Sequence, residues 1–148
     1  YGGRSAEAEA ALKRSLELAP RRGVTHTMLG LVYLLRGESG AALAEFEAEP
    51  ARLFQLTGIA AVYHSLGRHA ESDAAVAELI RDFGEGGAYQ LAGAFALRDE
   101  PDRCFEWLDR GIAQSDPGLP LARVEPIFQR VAHDPRWRAF ERRMGFSR

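Results

Sequence analysis

A pattern that returns at nearly regular intervals constrains this chain more than any single motif. Four stretches align: Gly3-Arg4…Ala8…Leu12, Gly37-Glu38…Ala42…Phe46, Gly67-Arg68…Ser72…Val76 and Asp99-Glu100…Cys104…Leu108. The first offset is 34 at all three positions, the second 30 and the third 32. A second pattern precedes the last three units: Leu29-Gly30-x-x-Tyr33, Ile59-Ala60-x-x-Tyr63 and Leu91-Ala92-x-x-Phe95, again offset by 30 and 32. Landmarks that shift together mark a structural repeat, in which each unit buries its apolar face only against its neighbours.

Each unit reads as two helices joined by a tight turn. In the first helix apolar residues recur at helical spacing, as in Leu29, Val32 and Tyr33 before Arg36-Gly37. Gly37 and Gly67 stand where a helix ends and the backbone enters the left-handed region at little cost. The second helix carries a small residue (Ala8, Ala42, Ser72, Cys104) and, four later, a larger apolar one (Leu12, Phe46, Val76, Leu108). Small against large is what closely packed antiparallel helices need. Pro20 and Pro50 then stop their helices, because a proline disfavours helix in the residue before it.

Leu-Gly-x-x-Tyr, then Gly, then Ala-x-x-x-Phe, then Pro resembles the tetratricopeptide (TPR) repeat. The second unit matches best, through Leu29, Gly30, Tyr33, Gly37, Ala42 and Phe46. The fourth departs most, with Asp99 for the turn glycine and Phe95 for tyrosine, and His26, Leu56 or Ala88 stand where the family has tryptophan. Of the first unit only the second helix is present, Tyr1-Gly2-Gly3 reading as the tail of a helix cut off upstream. The resemblance covers residues 1–114: a second helix at about 4–19, then units at about 23–49, 53–83 and 86–114. It implies an all-α fold, a right-handed superhelix of antiparallel helical hairpins.

Residues 115–148 read as a turn-rich linker and a capping helix, not as a fifth repeat. Ser115-Asp116-Pro117-Gly118-Leu119-Pro120 is turn chemistry, and Glu125-Pro126-Ile127-Phe128 suggests one short helical turn. Asp134-Pro135 is a strong helix start, and the final helix, running to about Met144, carries Trp137, Phe140 and Met144 on one face. Phe105-Glu106-Trp107-Leu108, followed by Arg123-Val124-Glu125-Pro126 and His133-Asp134-Pro135-Arg136-Trp137, resembles a C-terminal module of bacterial multidomain regulators. There TPR arrays follow an adenylate-cyclase-like, kinase or winged-helix domain. The chain opens without an initiator Met or a signal peptide and is expected to be part of a longer regulatory protein.

Composition narrows the function classes. Hydrophobic residues make up 46% and charged residues 27%, which argues against disorder. The longest nearly unbroken apolar run, Met28 to Leu35, is far short of the roughly 20 residues that cross a bilayer, so no membrane insertion is expected. A single cysteine, Cys104, excludes an internal disulfide and any Cys-rich zinc site. A cytoplasmic location is the expectation, a periplasmic one if the parent carries an upstream membrane span. The net charge of -2 exerts no general pull on nucleic acid, although residues 121–148 carry seven Arg against three acids. Arg136, Arg138, Arg142 and Arg143 form either a patch for an acidic surface or a solvated outer face whose stems cover Trp137.

No catalytic constellation stands out, and no cofactor or metal is expected. Lys13 follows no Gly-rich loop, Gly84-Glu85-Gly86-Gly87 lacks the third glycine and the preceding strand of a dinucleotide turn, and His-Glu-x-x-His is absent. His64 and His69 straddle Gly67, so they cannot share a helix face as metal ligands do. Cys104, at the small-residue position, reads as a buried structural thiol.

In TPR-like folds the first helices line a concave face that holds partner peptides. The positions so implied are Met28, Leu31, Leu34 and Leu35, then Phe54, Thr57, Ala61, His64 and Ser65, then Tyr89, Gln90, Gly93, Ala96 and Leu97. The carboxylate clamp that some family members use needs Lys, Arg and Asn there, and this chain has no Asn and no basic residue at those places. The surface suits an apolar helix or extended peptide of a partner protein, with Leu34 and Tyr89 as anchors. The alternatives are a homo-oligomer, an intramolecular occupant or a small molecule. The expectation is therefore a non-catalytic protein-interaction module, with structural self-association as its rival and nucleic-acid docking disfavoured.

Overall fold

A computed structural model describes residues 2–146. Tyr1, read with Gly2 and Gly3 as the end of an upstream helix, lies outside the described residues, as does Arg148 of the basic stretch. The fold is all-α, without strands among the described residues. Its elements are α1 (Gly2–Leu18), α2 (Thr25–Leu35), α3 (Ser39–Ala48), α4 (Arg52–Ser65), α5 (His69–Phe83), α6 (Ala88–Leu97), α7 (Pro101–Gln114), two 3-10 turns (Leu119–Arg123 and Pro126–Arg130) and α8 (Pro135–Arg143). The chain divides into two compact units, residues 1–75 and 76–148.

One device ends the helices that the sequence pattern places first in each pair. The N–H groups of Glu38, Arg68 and Glu100 reach back to the carbonyls of Tyr33, Tyr63 and Phe95 at 2.9, 2.8 and 2.9 Å. This is the closing bond of a Schellman turn, which needs a left-handed residue just before it. Gly37 (φ 78), Gly67 (φ 74) and Asp99 (φ 55) supply that residue. Asp99 thus adopts the conformation that glycine adopts at the two preceding turns. The following helices start at Ser39, His69 and Pro101, and α8 starts at Pro135, so the last helix keeps the spacing although its stretch was set apart from the repeats on sequence.

In the first unit the core gathers around Phe46, whose ring is fully buried with Leu29, Tyr33, Ala42 and Val62. Gly30 and Gly58 make room for it: a methyl group at either would lie 2.8 or 2.0 Å from that ring. Two glycines on two helices therefore set how closely α2 and α4 approach α3. The cost of emptying such a site is about 3–5 kcal/mol.

In the second unit α6 and α7 pair, and residues 115–143 fold over them. Asp102 accepts from Arg136 and Asp109 from Arg143, each pair at the same separation in the chain, so α7 and α8 run alongside each other in the same direction. An aromatic row crosses the core from Tyr89 through Phe128 and Trp137 to Phe140, at centroid spacings of 5.5, 6.1 and 5.3 Å. Asp134 caps α8 by accepting from the Arg136 N–H at 2.9 Å.

Each unit also carries a buried carboxylate that the sequence pattern did not reveal. Glu49, 2% exposed, accepts from the N–H groups of Val24, Thr27 and Ala51 and from the Thr27 hydroxyl. Asp116, 9% exposed, accepts from the N–H groups of Tyr89 and Gly118. Both residues follow a second helix and satisfy the open N–H groups at the start of its first helix, which attract negative charge. Val24 is held at φ 75, an outlier for a β-branched residue, with its N–H on Glu49.

Candidate interaction surface

The implied binding positions fall into three different environments. On α2, which contains no Asp, Glu, Lys or Arg, Leu29, Gly30 and Tyr33 turn inward, and Met28 and Leu35 are 51% and 49% exposed. Leu31 and Leu34 are half-buried and pack against the Phe46 cluster. Helical spacing puts Met28 and Leu35 on one outward stripe, with Leu31 between them and in part against the Phe46 cluster.

The α4 positions are more polar and more committed to their own helix. Phe54 and Thr57 are half-buried, and the Thr57 hydroxyl donates to the Leu53 carbonyl at 2.7 Å. Ala61 is buried and so is not available as a contact. Ser65 is exposed, its hydroxyl donating to the Val62 carbonyl. His64 is half-buried, its Nδ1 without a hydrogen-bond partner, and its ring meets that of His69 edge-on at 5.1 Å. The two histidines occupy different helices, as their spacing requires, yet the Gly67 turn folds one ring onto the other.

On α6 the implied surface is already covered. Tyr89, Gly93, Ala96 and Leu97 are buried and Gln90 is half-buried. The second 3-10 turn supplies much of the cover: a methyl group at Gly93 would lie 2.9 Å from the Ile127 side chain. A methyl group at Gly118 would lie 2.8 Å from the Tyr89 ring, and burial pushes the Tyr89 hydroxyl well above its ordinary pKa. Tyr89 is therefore a core residue and not an anchor for a partner. The sequence signal for this was Pro126-Ile127-Phe128, apolar side chains held in a stiff turn.

Three arginines of the C-terminal stretch dock on acids of their own unit. Arg130 pairs with Asp99 at 3.1 Å, Arg136 with Asp102 and Asp134 at 2.8 Å, and Arg143 with Asp109. Arg136 also lies over the Phe105 ring at 4.6 Å, so its stem covers apolar surface. The Arg136 guanidinium holds the Asp134 carboxyl at about 2, well below its ordinary value. Burial pushes the Cys104 thiol up to about 12, which leaves almost no thiolate at neutral pH.

A cleft of about 190 Å³ is lined by Asp99, Pro101, Arg130, Val131, His133 and Asp134. It is smaller than the roughly 300 Å³ at which pockets for organic ligands begin. Among the described residues no group of three or more His, Cys, Asp or Glu side chains is placed to hold a metal ion. No described helix is long and apolar enough to cross a membrane. Comparison with known proteins gives no match for this chain among family models, curated proteins or solved structures.

Proposed function

We propose that this chain is a non-catalytic protein-interaction module, a TPR-like array of helical hairpins, acting as part of a larger regulatory protein. The observation that carries this reading is the outward stripe of Met28 and Leu35, with half-buried Leu31 between them, on a helix free of Asp, Glu, Lys and Arg. Half-exposed large apolar side chains, repeated at helical spacing, are what a partner helix or extended peptide covers. The near-regular spacing of the helix starts and the shared turn geometry at Gly37, Gly67 and Asp99 support the repeat architecture. The binding face is narrower than the sequence implied: it rests on α2, with Phe54 and the polar Thr57 and His64 of α4 beside it, and leaves out α6.

The experiment is a selection from a displayed peptide library on the intact chain, counter-selected on a Met28→Gln, Leu35→Gln variant whose melting is unchanged. Apolar peptides enriched on the parent and lost on the variant support the reading. Enrichment that ignores the variant, or none, sinks it. Self-association through the same stripe is the second reading, since exposed leucines suit a second copy as well. Sedimentation of parent and variant from micromolar to millimolar concentration separates the two, because only self-association predicts a dimer that the variant abolishes.

A further inference from the structure

Each of the three hairpin turns sets two residues near each other, one three positions before the left-handed residue and one two positions after it. At the first turn these are Leu34 and Ser39, at the third Ala96 and Pro101, and at the second His64 and His69. Closing a hairpin therefore needs no imidazole at either place. At the second turn both residues carry one, with ring centroids 5.1 Å apart and planes at 68°. His69 is exposed, so its ring can swing and an ion can enter where the two rings now meet. His64 is half-buried, and its Nδ1 is buried without a hydrogen-bond partner. A bound ion is one of the few things that satisfies such a nitrogen.

The backbone under the pair is fixed. Gly67 sits at φ 74, its N–H reaches the His64 carbonyl at 3.0 Å, and the Arg68 N–H reaches the Tyr63 carbonyl at 2.8 Å. The Ser72 hydroxyl, donating to the Ala60 carbonyl at 2.6 Å, holds the start of α5 on α4. Arg68, the cation between the two histidines in the chain, donates to the Glu71 carboxylate at 2.7 Å and lies over the Tyr63 ring. Its charge is thus balanced locally and does not oppose a second cation. Two donors on a rigid turn lose little freedom when they take up an ion, which favours binding by a small site.

We propose that His64 and His69 together bind one divalent ion of the zinc type across the Gly67 turn, its other positions open to water or to a donor from outside the chain. Imidazole nitrogen is a natural ligand for such ions. Zn–N bonds of about 2.0–2.1 Å at a tetrahedral angle put two imidazole centroids roughly 5 Å apart. Neighbouring ligands on a square-planar ion would bring them to about 4.5 Å, and a linear pair would part them to about 6 Å. The observed separation is that of the tetrahedral ion. Helix periodicity argues against this pair only because it looks for ligands on one helix face, and here a turn takes the place of that face. Two protein ligands are fewer than a closed or catalytic centre uses, so the ion exchanges and folding does not depend on it. This binding capacity is separate from the α2 stripe.

The test titrates zinc chloride into the intact, untagged chain by calorimetry. Saturable binding of one equivalent is expected, weakened at least about tenfold by His69→Gln and by His64→Gln. His133→Gln, an exposed histidine outside the pair, should leave it unchanged. Because His69 is exposed, its substitution should preserve melting; zinc should raise the melting temperature of the parent and not that of His69→Gln. No saturable binding up to millimolar zinc overturns the proposal, as does binding that survives either substitution. Binding lost in His26→Gln instead would put the ion on His26 and Glu45, which meet at 2.7 Å, and overturns it too. Met28→Gln should leave zinc binding untouched, so this proposal and the α2 stripe stand or fall apart.

Discussion

The helices α2 and α6 are built from the same kind of sequence and meet opposite ends. Neither contains Asp, Glu, Lys or Arg, and both carry the first-helix pattern. Nine of the ten residues of α6 are buried, against four of the eleven of α2. The difference lies in what each presents outward. On α6 the positions equivalent to Met28, Leu31 and Leu35 are Gln90, Gly93 and Leu97, and the missing side chain at Gly93 lets Ile127 and Phe128 come close; on α2 a leucine fills that middle place, and Met28 and Leu35 stand exposed on either side of it. An apolar helix says only that something should cover it, and the size of its outward residues says how closely the cover can sit.

The largest effect expected is at that cover. Phe128 is fully buried between Tyr89 and Trp137, so Phe128→Ala should cost about 3–5 kcal/mol in urea unfolding. It should also open α6 to a hydrophobic dye that the parent excludes. A loss below about 1 kcal/mol would mean that α6 is sealed by something other than this turn, and the contrast with α2 would fail.

Next come the two carboxylates at the helix starts. Removing a buried acceptor strands its donors, at about 1–3 kcal/mol. Glu49→Ala and Asp116→Ala are therefore each expected to destabilise by that order, Glu49→Ala the more because it leaves four donors without their partner. If thermal melting shows one variant unchanged, the two regions do not close their hairpins by the same means.

These carboxylates mark the boundary of what the sequence made legible. The all-helical fold, the hairpin turns and the small-large packing of Ala42 and Phe46 are written in local spacing and could be read directly. Asp99 was recognisable as the stand-in for a turn glycine because its neighbours kept their offsets. Glu49 and Asp116 were not, since an acid after a helix looks like any solvated side chain. Only folding brings the N–H groups of Val24 and Tyr89, distant in the chain, against them. Tyr89 was misplaced for a related reason: helical phase puts it on the face, but only the path of residues 115–131 decides that the face is filled. The contact of His64 with His69 likewise depends on a turn and not on a shared helix face.

A smaller effect is expected from acid. Lys13, Arg36 and Tyr33 hold the Glu9 carboxyl at about 2, against an ordinary value of 4.5, and Arg136 holds Asp134 at about 2, against 3.8. A lowered folded pKa stabilises the native state above the ordinary value, and that contribution disappears as pH falls through the folded one. Melting temperature should therefore decline between about pH 4.5 and pH 2, and Glu9→Gln and Asp134→Asn should each flatten part of that decline. Both groups are exposed to screening, so salt should reduce the slope. A slope that neither substitution alters would place the acid sensitivity elsewhere.

The smallest effect, that of Leu35→Gln, is the most informative when set beside Leu97→Gln, because the two compare one residue type at two equivalent places. Leu35 and Leu97 each stand two positions before the left-handed turn residue of their own hairpin, yet they are 49% and 5% exposed. Leu97→Gln puts an amide where it loses water and apolar contacts, at about 2–3 kcal/mol. Leu35→Gln trades exposed apolar surface for polar surface and should change stability by less than about 0.5 kcal/mol. Equal costs would mean that Leu35 is covered in solution, by a second copy or by another segment, and sedimentation of the parent would then show which. Unequal costs would leave Leu35 as a side chain that folding does not need, on a stripe whose worth has to be sought in binding.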